Sequence, residues 1–210
     1  MPSLILASSS PRRRELLASL GIEFTIFKPD VDESQFPGEP PLAYVRRLSQ
    51  QKAAAVAAQL PAPSTVLAAD TIVILAADTL GIDDTGEILG KPVDADDARY
   101  MLRRLRGRTH QVYTAITLRV QPLESGVSPS STTTLTRTDV TMRNYTDAEI
   151  EAYIATGDPF DKAGSYAIQH EGFHPVERID GSYTNVVGLP LETVQAMLAD
   201  IGWPDVKQVR

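Results

Sequence analysis

Val66-Leu67-Ala68-Ala69-Asp70-Thr71-Ile72-Val73-Ile74-Leu75 is the stretch on which the reading of this chain turns. A long apolar run with no polar alternation reads as a strand buried in a sheet, extending from Thr65 to Ala76. A single carboxylate interrupts it. A lone Asp in an apolar strand costs several kcal/mol unless it is paired, hydrogen-bonded or metal-bound. Such a position suits a metal ligand or a general base. It suits equally well a bulge or sheet-end Asp bonded to backbone.

Upstream, Leu4-Ile5-Leu6-Ala7 reads as a second buried strand, followed by Ser8-Ser9-Ser10 and Pro11. Ser10 has the chemistry of an N-cap and Pro11 that of a first helical residue. The helix they open runs to about Leu20 and ends at Gly21. Ile22 to Lys28 reads as a strand. Pro29 to Pro41 is a polar loop carrying Asp30, Asp32, Glu33, Glu39 and four prolines. Leu42 to Leu60 is a long alanine-rich helix.

Downstream, Asp78 to Glu87 has the Gly81 and Gly86 of a hairpin tip. Asp94 to Arg106 is an amphipathic helix with Ala98, Met101, Leu102 and Leu105 on one side. Gln111–Val120 and Thr132–Met142 read as paired strands. The Ser/Pro/Gly-rich segment between them, 121–131, has the composition of a mobile loop. Thr146–Thr156 is a helix. Gly164–Gln169, Val176–Ile179 and Tyr183–Val187 read as short strands, and Leu189–Ile201 as the closing helix. Strands and helices alternate throughout, so a sheet covered by helices in one α/β domain, 1–210, is expected.

Composition narrows the function. The 210 residues could bury about 70% of their extended surface, enough for a full core. There is no cysteine, which removes disulfides, thiolate metal sites and a Cys nucleophile, and leaves oxygen or three histidines for any metal. The net charge of −7 argues against a nucleic acid polymer as partner. No run of 18 apolar residues occurs, so no membrane span is expected, and Met1–Ala7 is too short for a signal-peptide core.

Against that acidic background, the cations stand in unusual places. Arg12-Arg13-Arg14 occupies the first turn of a helix, where acidic residues belong. The arrangement makes sense if an external anion sits there, held by N–H groups, hydroxyls and guanidinium forks. A solvated basic turn would need no ligand. Lys52 lies four residues from both Leu48 and Val56, on the apolar face of its helix. It either snorkels to the edge or reaches into a site. Asp161-Lys162-Ala163-Gly164-Ser165-Tyr166-Ala167-Ile168-Gln169 is dense in small and polar residues, and Gln169 carries the paired donor and acceptor that read a base edge. A turn with an ordinary strand explains it as well. Cations at turns or on apolar faces (Arg12, Arg13, Lys52, Lys91, Lys162) beside carboxylates in similar settings (Glu33, Asp70, Asp161) suit a polyphosphate with Mg²⁺ or Mn²⁺. No P-loop, G-x-G-x-x-G, G-x-S-x-G or H-E-x-x-H motif is present. His110, ahead of a strand, reads as structural or as part of a ligand rim.

In this order along the chain, Leu6-Ala7-Ser8-Ser9-Ser10-Pro11-Arg12-Arg13, Asp32-Glu33, Gln51-Lys52-Ala53, Ala69-Asp70-Thr71, Gly90-Lys91-Pro92, Thr109-His110-Gln111-Val112, Asp161-Lys162-Ala163-Gly164 and Asn185-Val186-Val187-Gly188-Leu189-Pro190-Leu191 resemble the motifs of the Maf family of nucleoside triphosphate pyrophosphatases. The resemblance implies a two-lobed, Maf/ITPase-like α/β fold. Its mixed twisted sheet would be flanked by helices, with an active-site cleft between the lobes. It implies hydrolysis of a nucleoside triphosphate to monophosphate and pyrophosphate with a divalent metal, in a cytoplasmic and often homodimeric protein. Asp70 matches the family's proton acceptor, and Arg12, Thr71 and Gln169 match positions linked to substrate choice. On this reading Asp70, Glu33 and Lys52 are catalytic, and Glu33 and Asp70 hold the metal. Ser8, Arg12, Arg13, Thr71, Lys91, Lys162 and Gln169 bind the nucleotide. Tyr166-Ala167-Ile168-Gln169 is similar to the dTTP/UTP subgroup. A 7-methyl-GTP pyrophosphatase and a non-catalytic nucleotide sensor are the alternatives. His170 departs from the glycine common in the subgroup. The loops 76–86 and 121–131 look longer than in compact members.

Overall fold

The computed structural model describes residues 3–75, 86–124 and 126–204. In chain order the elements are β1 (Ser3–Ala7), α1 (Pro11–Ser19), β2 (Phe24–Phe27), α2 (Pro41–Ala57), β3 (Ser64–Leu75), β4 (Glu87–Leu89) and α3 (Ala95–Leu105), then β5 (Thr109–Gln121), β6 (Ser130–Met142), α4 (Asp147–Ala155), β7 (Val176–Asp180), α5 (Tyr183–Val187) and α6 (Leu191–Asp200). The strands form one seven-stranded sheet in the order β2-β1-β3-β5-β6-β7, with β4 paired to β3 off that path. The sheet is mixed: β1 runs parallel to β2 and β3, while β3/β4 and β6/β7 are antiparallel. Most of the expected hairpin tip, 78–85, lies outside the described residues. Its outgoing strand is present as β4, with Leu89 opposite Val73.

Two compact units divide the chain. One comprises Met1–Asp70, Thr114–Thr136 and Gly188–Arg210, the other Thr71–Tyr113 and Arg137–Val187. The first unit explains the unbroken apolar run of β3. Leu4 and Leu6 of β1 and Leu67 and Ala69 of β3 share a cluster with Leu17 of α1 and Leu191, Val194 and Leu198 of α6. Ile5, Ala7, Val66 and Ala68 point the other way, into a cluster with Ala53, Val56 and Ala57 of α2. A strand covered on both faces has no solvent side, so alternation disappears. Each fully buried Val, Leu or Ile contributes roughly 1.5–3 kcal/mol.

Local rules set the helices of this unit. Ser10 caps α1, its side chain accepting from the Arg13 N–H at 3.4 Å, with Pro11 at the first helical position. Gly21, at φ +72°, ends it. Arg12 and Arg13 stand in a first turn that holds no acidic residue.

The second unit packs α3 and α4 over one cluster that includes Val73, Leu102, Val112, Met142, Tyr145 and Tyr153. Asp94 caps α3 by accepting from the Asp97 N–H at 2.9 Å, and Thr146 with Glu149 forms a capping box on α4. Two expected strands are corrected here. The segment 164–169 contains a short 3₁₀ turn (Ala163–Ser165) and no strand. Gly164 and Ser165 sit at φ +71° and +61°, a left-handed conformation that cannot extend a ladder. The segment 183–187 is the helix α5, not a strand. Ser182 Oγ accepts from the Asn185 N–H at 3.2 Å, and the Asn185 side chain donates to the Val112 carbonyl at 3.0 Å. These polar bonds override the β-branched character of Thr184, Val186 and Val187.

His110 is fully buried, with Nε2 2.8 Å from the Tyr166 hydroxyl. Of the two roles open to it, the structural one holds. Burial pulls its pKa from 6.5 down to about 3, so the ring stays neutral in the fold and charges only on unfolding. Below pH 6.5 the unfolded chain therefore binds more protons, and stability falls as the pH drops toward 3. Between pH 6.5 and 5 this amounts to ~2 kcal/mol. Urea unfolding at both pH values should show a His110→Gln variant losing less stability over that interval than the unaltered chain.

Candidate active site

The buried carboxylate of β3 is satisfied by a buried cation. Lys52 Nζ donates to Asp70 Oδ1 at 2.6 Å, and the two residues are only 6% and 8% exposed. The helix α2 achieves this because Lys52 shares its inward face with Leu48, Ala53 and Val56. Its ammonium reaches inward and does not snorkel. The same ammonium lies 2.9 Å from Glu33 Oε1, whose side chain is largely in solvent. One lysine thus holds two carboxylates, one buried and one exposed.

Arg13 approaches from α1. Its Nη1 donates to the Ala69 carbonyl at 2.6 Å and its Nε to the Gly188 carbonyl at 2.8 Å. Part of the residue meets solvent, but its guanidinium is desolvated, and burial lowers its pKa despite the opposing pull of Asp70. These two bonds tie α1 and the start of the C-terminal segment to the backbone next to Asp70. Ser8 is buried, and its Oγ accepts from the Ser10 N–H at 3.1 Å. Arg12 is half-buried at the start of α1.

Burial raises the Asp70 pKa, and this desolvation outweighs the opposing fields of Lys52 and Arg13. A carboxylate made more basic than usual, yet anchored, is suited to accept a proton. Tyr44 of α2 donates its hydroxyl to the Glu33 carbonyl at 2.8 Å. Burial and the negative fields of Asp70 and Glu33 raise its pKa, so that hydroxyl keeps its proton.

The remaining candidates belong to the second unit. Thr71 follows Asp70 on β3 and is half-buried, while Lys91 is exposed just after β4. The Gly90 carbonyl accepts from the Gly164 N–H at 3.0 Å. Lys162 is buried, and its Nζ donates to the Asp158 carbonyl (2.6 Å), Asp158 Oδ1 (2.8 Å) and Asp161 Oδ1 (2.6 Å). The Tyr153 hydroxyl donates to Asp158 Oδ2 at 2.7 Å and accepts from the Ala167 N–H at 3.0 Å. That chain of bonds supports the segment ending at Gln169, which is exposed. His170 turns back to accept at Nδ1 from the N–H groups of Gly172 (3.1 Å) and Phe173 (2.9 Å), so it caps a turn.

Sequence reading misses Tyr44, Arg47, Glu39, Tyr153 and Asp158. Arg47 and Glu39 form a two-bond ion pair between α2 and the preceding loop, and no local spacing announces it. Among the described residues no group of three or more His, Cys, Asp or Glu is placed to hold a metal ion. Glu33 and Asp70 are the carboxylates that meet at Lys52. Two hard oxygen donors match Mg²⁺, which usually takes one or two carboxylates and completes its shell with substrate phosphates and water. Among the described residues no helix is long and apolar enough to cross a membrane.

Removing the ammonium leaves Asp70 buried and undercompensated. Lys52→Met should lower unfolding free energy at pH 7 by ~3–5 kcal/mol. The deficit should shrink on acidification, as Asp70 takes up a proton. Urea titrations at pH 7 and pH 5 check both the size and the sign.

Comparison with known proteins gives a consistent picture. The family described as "Maf-like protein" matches residues 3–201. A dTTP/UTP pyrophosphatase of Anaeromyxobacter dehalogenans (strain 2CP-1 / ATCC BAA-258) is 49% identical over 203 residues, covering 97% of this chain and 96% of its own. Proteins of the same name from Moorella thermoacetica and Myxococcus xanthus are 48% and 47% identical, covering 96% of this chain and 96% and 93% of their own. Among solved structures, a HAM1 protein from Coxiella burnetii aligns with a TM-score of 0.46 at 15% identity, over 95% of this chain and 100% of its own, too loose a likeness to argue from. With the family match spanning nearly every described residue, this chain belongs to the Maf family.

Proposed function

We propose that the chain hydrolyses dTTP and UTP to the monophosphate and pyrophosphate. The observation that carries this is the buried Asp70 carboxylate, raised in pKa and anchored by Lys52 beside Glu33. The names of the relatives support the substrate class.

Asp70 accepts a proton from the attacking water as its oxygen bonds to the α-phosphorus. The bond from that phosphorus to the α–β bridging oxygen breaks, and pyrophosphate leaves with the electron pair. Lys52 keeps Asp70 ionised and aimed at the water. Ser8, Arg12 and Arg13, with the N-terminal N–H groups of α1, bind phosphate oxygens, because that helix end carries partial positive charge. Lys91 adds charge. Lys162 serves mainly by holding Asp158 and Asp161 in place, and Gln169 reads the pyrimidine edge, with Thr71 contributing to substrate choice. Glu33 and Asp70 would hold Mg²⁺ or Mn²⁺, which when bound offsets phosphate charge as it develops in the transition state. The family resemblance adds a cytoplasmic site of action and a homodimer to this reading.

Asp70→Asn should reduce pyrophosphate release from dTTP by ~10²–10⁴-fold, the usual worth of a general base, while leaving the fold intact by circular dichroism. Near-full activity would remove Asp70 from the mechanism. In the unaltered enzyme, kcat/KM should fall on acidification, because only ionised Asp70 accepts a proton. A panel of dTTP, UTP, CTP and 7-methyl-GTP, each with Mg²⁺ or Mn²⁺, should favour the first two. Turnover of 7-methyl-GTP alone, or binding without turnover, would overturn the reading.

A further inference from the structure

Glu33 lies in a segment with no helix or strand of its own, residues 28–40 between β2 and α2. Nearly every side chain from Asp32 to Pro40 is exposed, so apolar burial does not hold this segment in place. An unheld stretch of that length samples many conformations, and Glu33 would meet Lys52 only part of the time. The segment is nevertheless tied down, and the ties converge on one side chain.

That side chain is Arg47 of α2. Its Nε and Nη2 donate to Glu39 Oε1 and Oε2, both at 2.7 Å, a two-pronged fork that only a guanidinium can make. Nη2 also donates to the Ser34 carbonyl at 2.9 Å, and Nη1 to Gln51 Oε1 at 3.0 Å. The guanidinium carbon lies 3.9 Å from the centre of the Phe36 ring. Glu39 extends the hold: its Oε2 accepts from the Phe36 N–H at 3.1 Å, and its carbonyl accepts from Gln35 Nε2 at 2.8 Å. The Arg47 and Glu39 side chains are only 16% and 10% exposed, unlike the surface pairs elsewhere in the chain. Ser34, Phe36 and Glu39 are thus all gripped immediately after Glu33, while Tyr44, one turn earlier on α2, holds the Glu33 carbonyl itself.

We propose that Arg47 is a positioning residue for the reaction: it straps the 33–39 segment onto α2 and so delivers the Glu33 carboxylate to Lys52 and Asp70. Arg47 touches neither carboxylate of that pair and acts through Glu33. Tyr44, Arg47 and Lys52 all stand on α2, so one helix sets the positions of the loop acid and the strand acid together. The kinetic part of the test rests on the proposed pyrophosphatase reaction; the structural part does not.

The experiment uses the full chain with Arg47→Ala, Arg47→Lys and Glu39→Gln, the last two covering the case in which alanine impairs folding. Amide hydrogen exchange without ligand should speed up by ~10-fold or more across residues 33–39 in all three, while α2 amides keep their protection. Release of pyrophosphate from dTTP should fall by ~10-fold in kcat/KM, with KM for dTTP changing less than kcat or the Mg²⁺ demand. On a Glu33→Gln background, adding Arg47→Ala should cost less than about twofold more, because both changes remove the same carboxylate from the site. Losses that multiply on that background, or exchange that does not change, would overturn the proposal. If the unaltered protein hydrolyses neither dTTP nor UTP, the proposed reaction fails, and the exchange result still decides whether Arg47 straps the segment.

Discussion

The buried pair of Lys52 and Asp70 is the interaction on which the rest of the site depends. An unpaired carboxylate inside β3 would be intolerable, so α2 must lie where residue 52 comes level with residue 70. The small side chains of Ala53, Ala57, Ala7 and Ala68 make up much of the layer that lets this happen, and Val56 and Val66 fill it. On the opposite face Leu17 of α1 packs into the Leu4, Leu6 and Leu67 layer, and Arg13 grips the carbonyl of Ala69. Packing and polar bonding thus specify the same register. Desolvation still exceeds the attraction of the nearby cations, leaving Asp70 more basic than an ordinary carboxylate. The feature that strains the strand is also the one that gives it chemistry.

The second unit repeats the pattern with different parts. Lys162, like Lys52, is a buried ammonium held by two carboxylates, one more exposed than the other. Asp158 is then braced by Tyr153, whose hydroxyl also receives the Ala167 N–H. In each unit a helix supplies either the buried lysine (Lys52 of α2) or the brace of its carboxylate (Tyr153 of α4), and in the first unit an irregular segment carries the second acid, Glu33. Irregular segments can place polar groups that a regular ladder would fix elsewhere, but they must be tied from outside. Arg47 and Tyr44 do so for Glu33, and Tyr153 does so for the stretch that leads to Gln169. The pairs of Arg103 and Arg106 with the solvent-facing Asp147 contribute little by comparison.

Much of this was legible before any fold was known. The apolar run around Asp70, the Ser10–Pro11 helix start and the amphipathic α3 all follow from local chemistry and appear where local chemistry puts them. Asp70 and Lys52 stand out as charges where none should be, and the structure pairs them. Expectation and structure part where side-chain bonds and left-handed backbone angles decide the local conformation. Residues 183–187 look β-prone, yet Ser182 and Asn185 cap and anchor them as a helix. Residues 164–169 look like a strand, yet Gly164 and Ser165 take left-handed angles inside a buried turn. His170 reads as an oddity beside Gln169 and is in fact the cap of the next turn.

The sequence alone determined that the chain builds a helix-covered sheet, that a carboxylate interrupts a buried strand, and that cations stand at turns or on apolar faces in an acidic protein. Those conclusions rest on periodicity, capping and the cost of burying charge, all properties of neighbouring residues. Tertiary structure alone decided that Lys52 serves Asp70 and Glu33 together, and that Arg13 spends two donors on backbone carbonyls. It alone revealed Arg47 as the hold on the loop acid. A hydrogen bond is set by distances of about 3 Å, and residues far apart along the chain reach that distance only through packing of the whole unit.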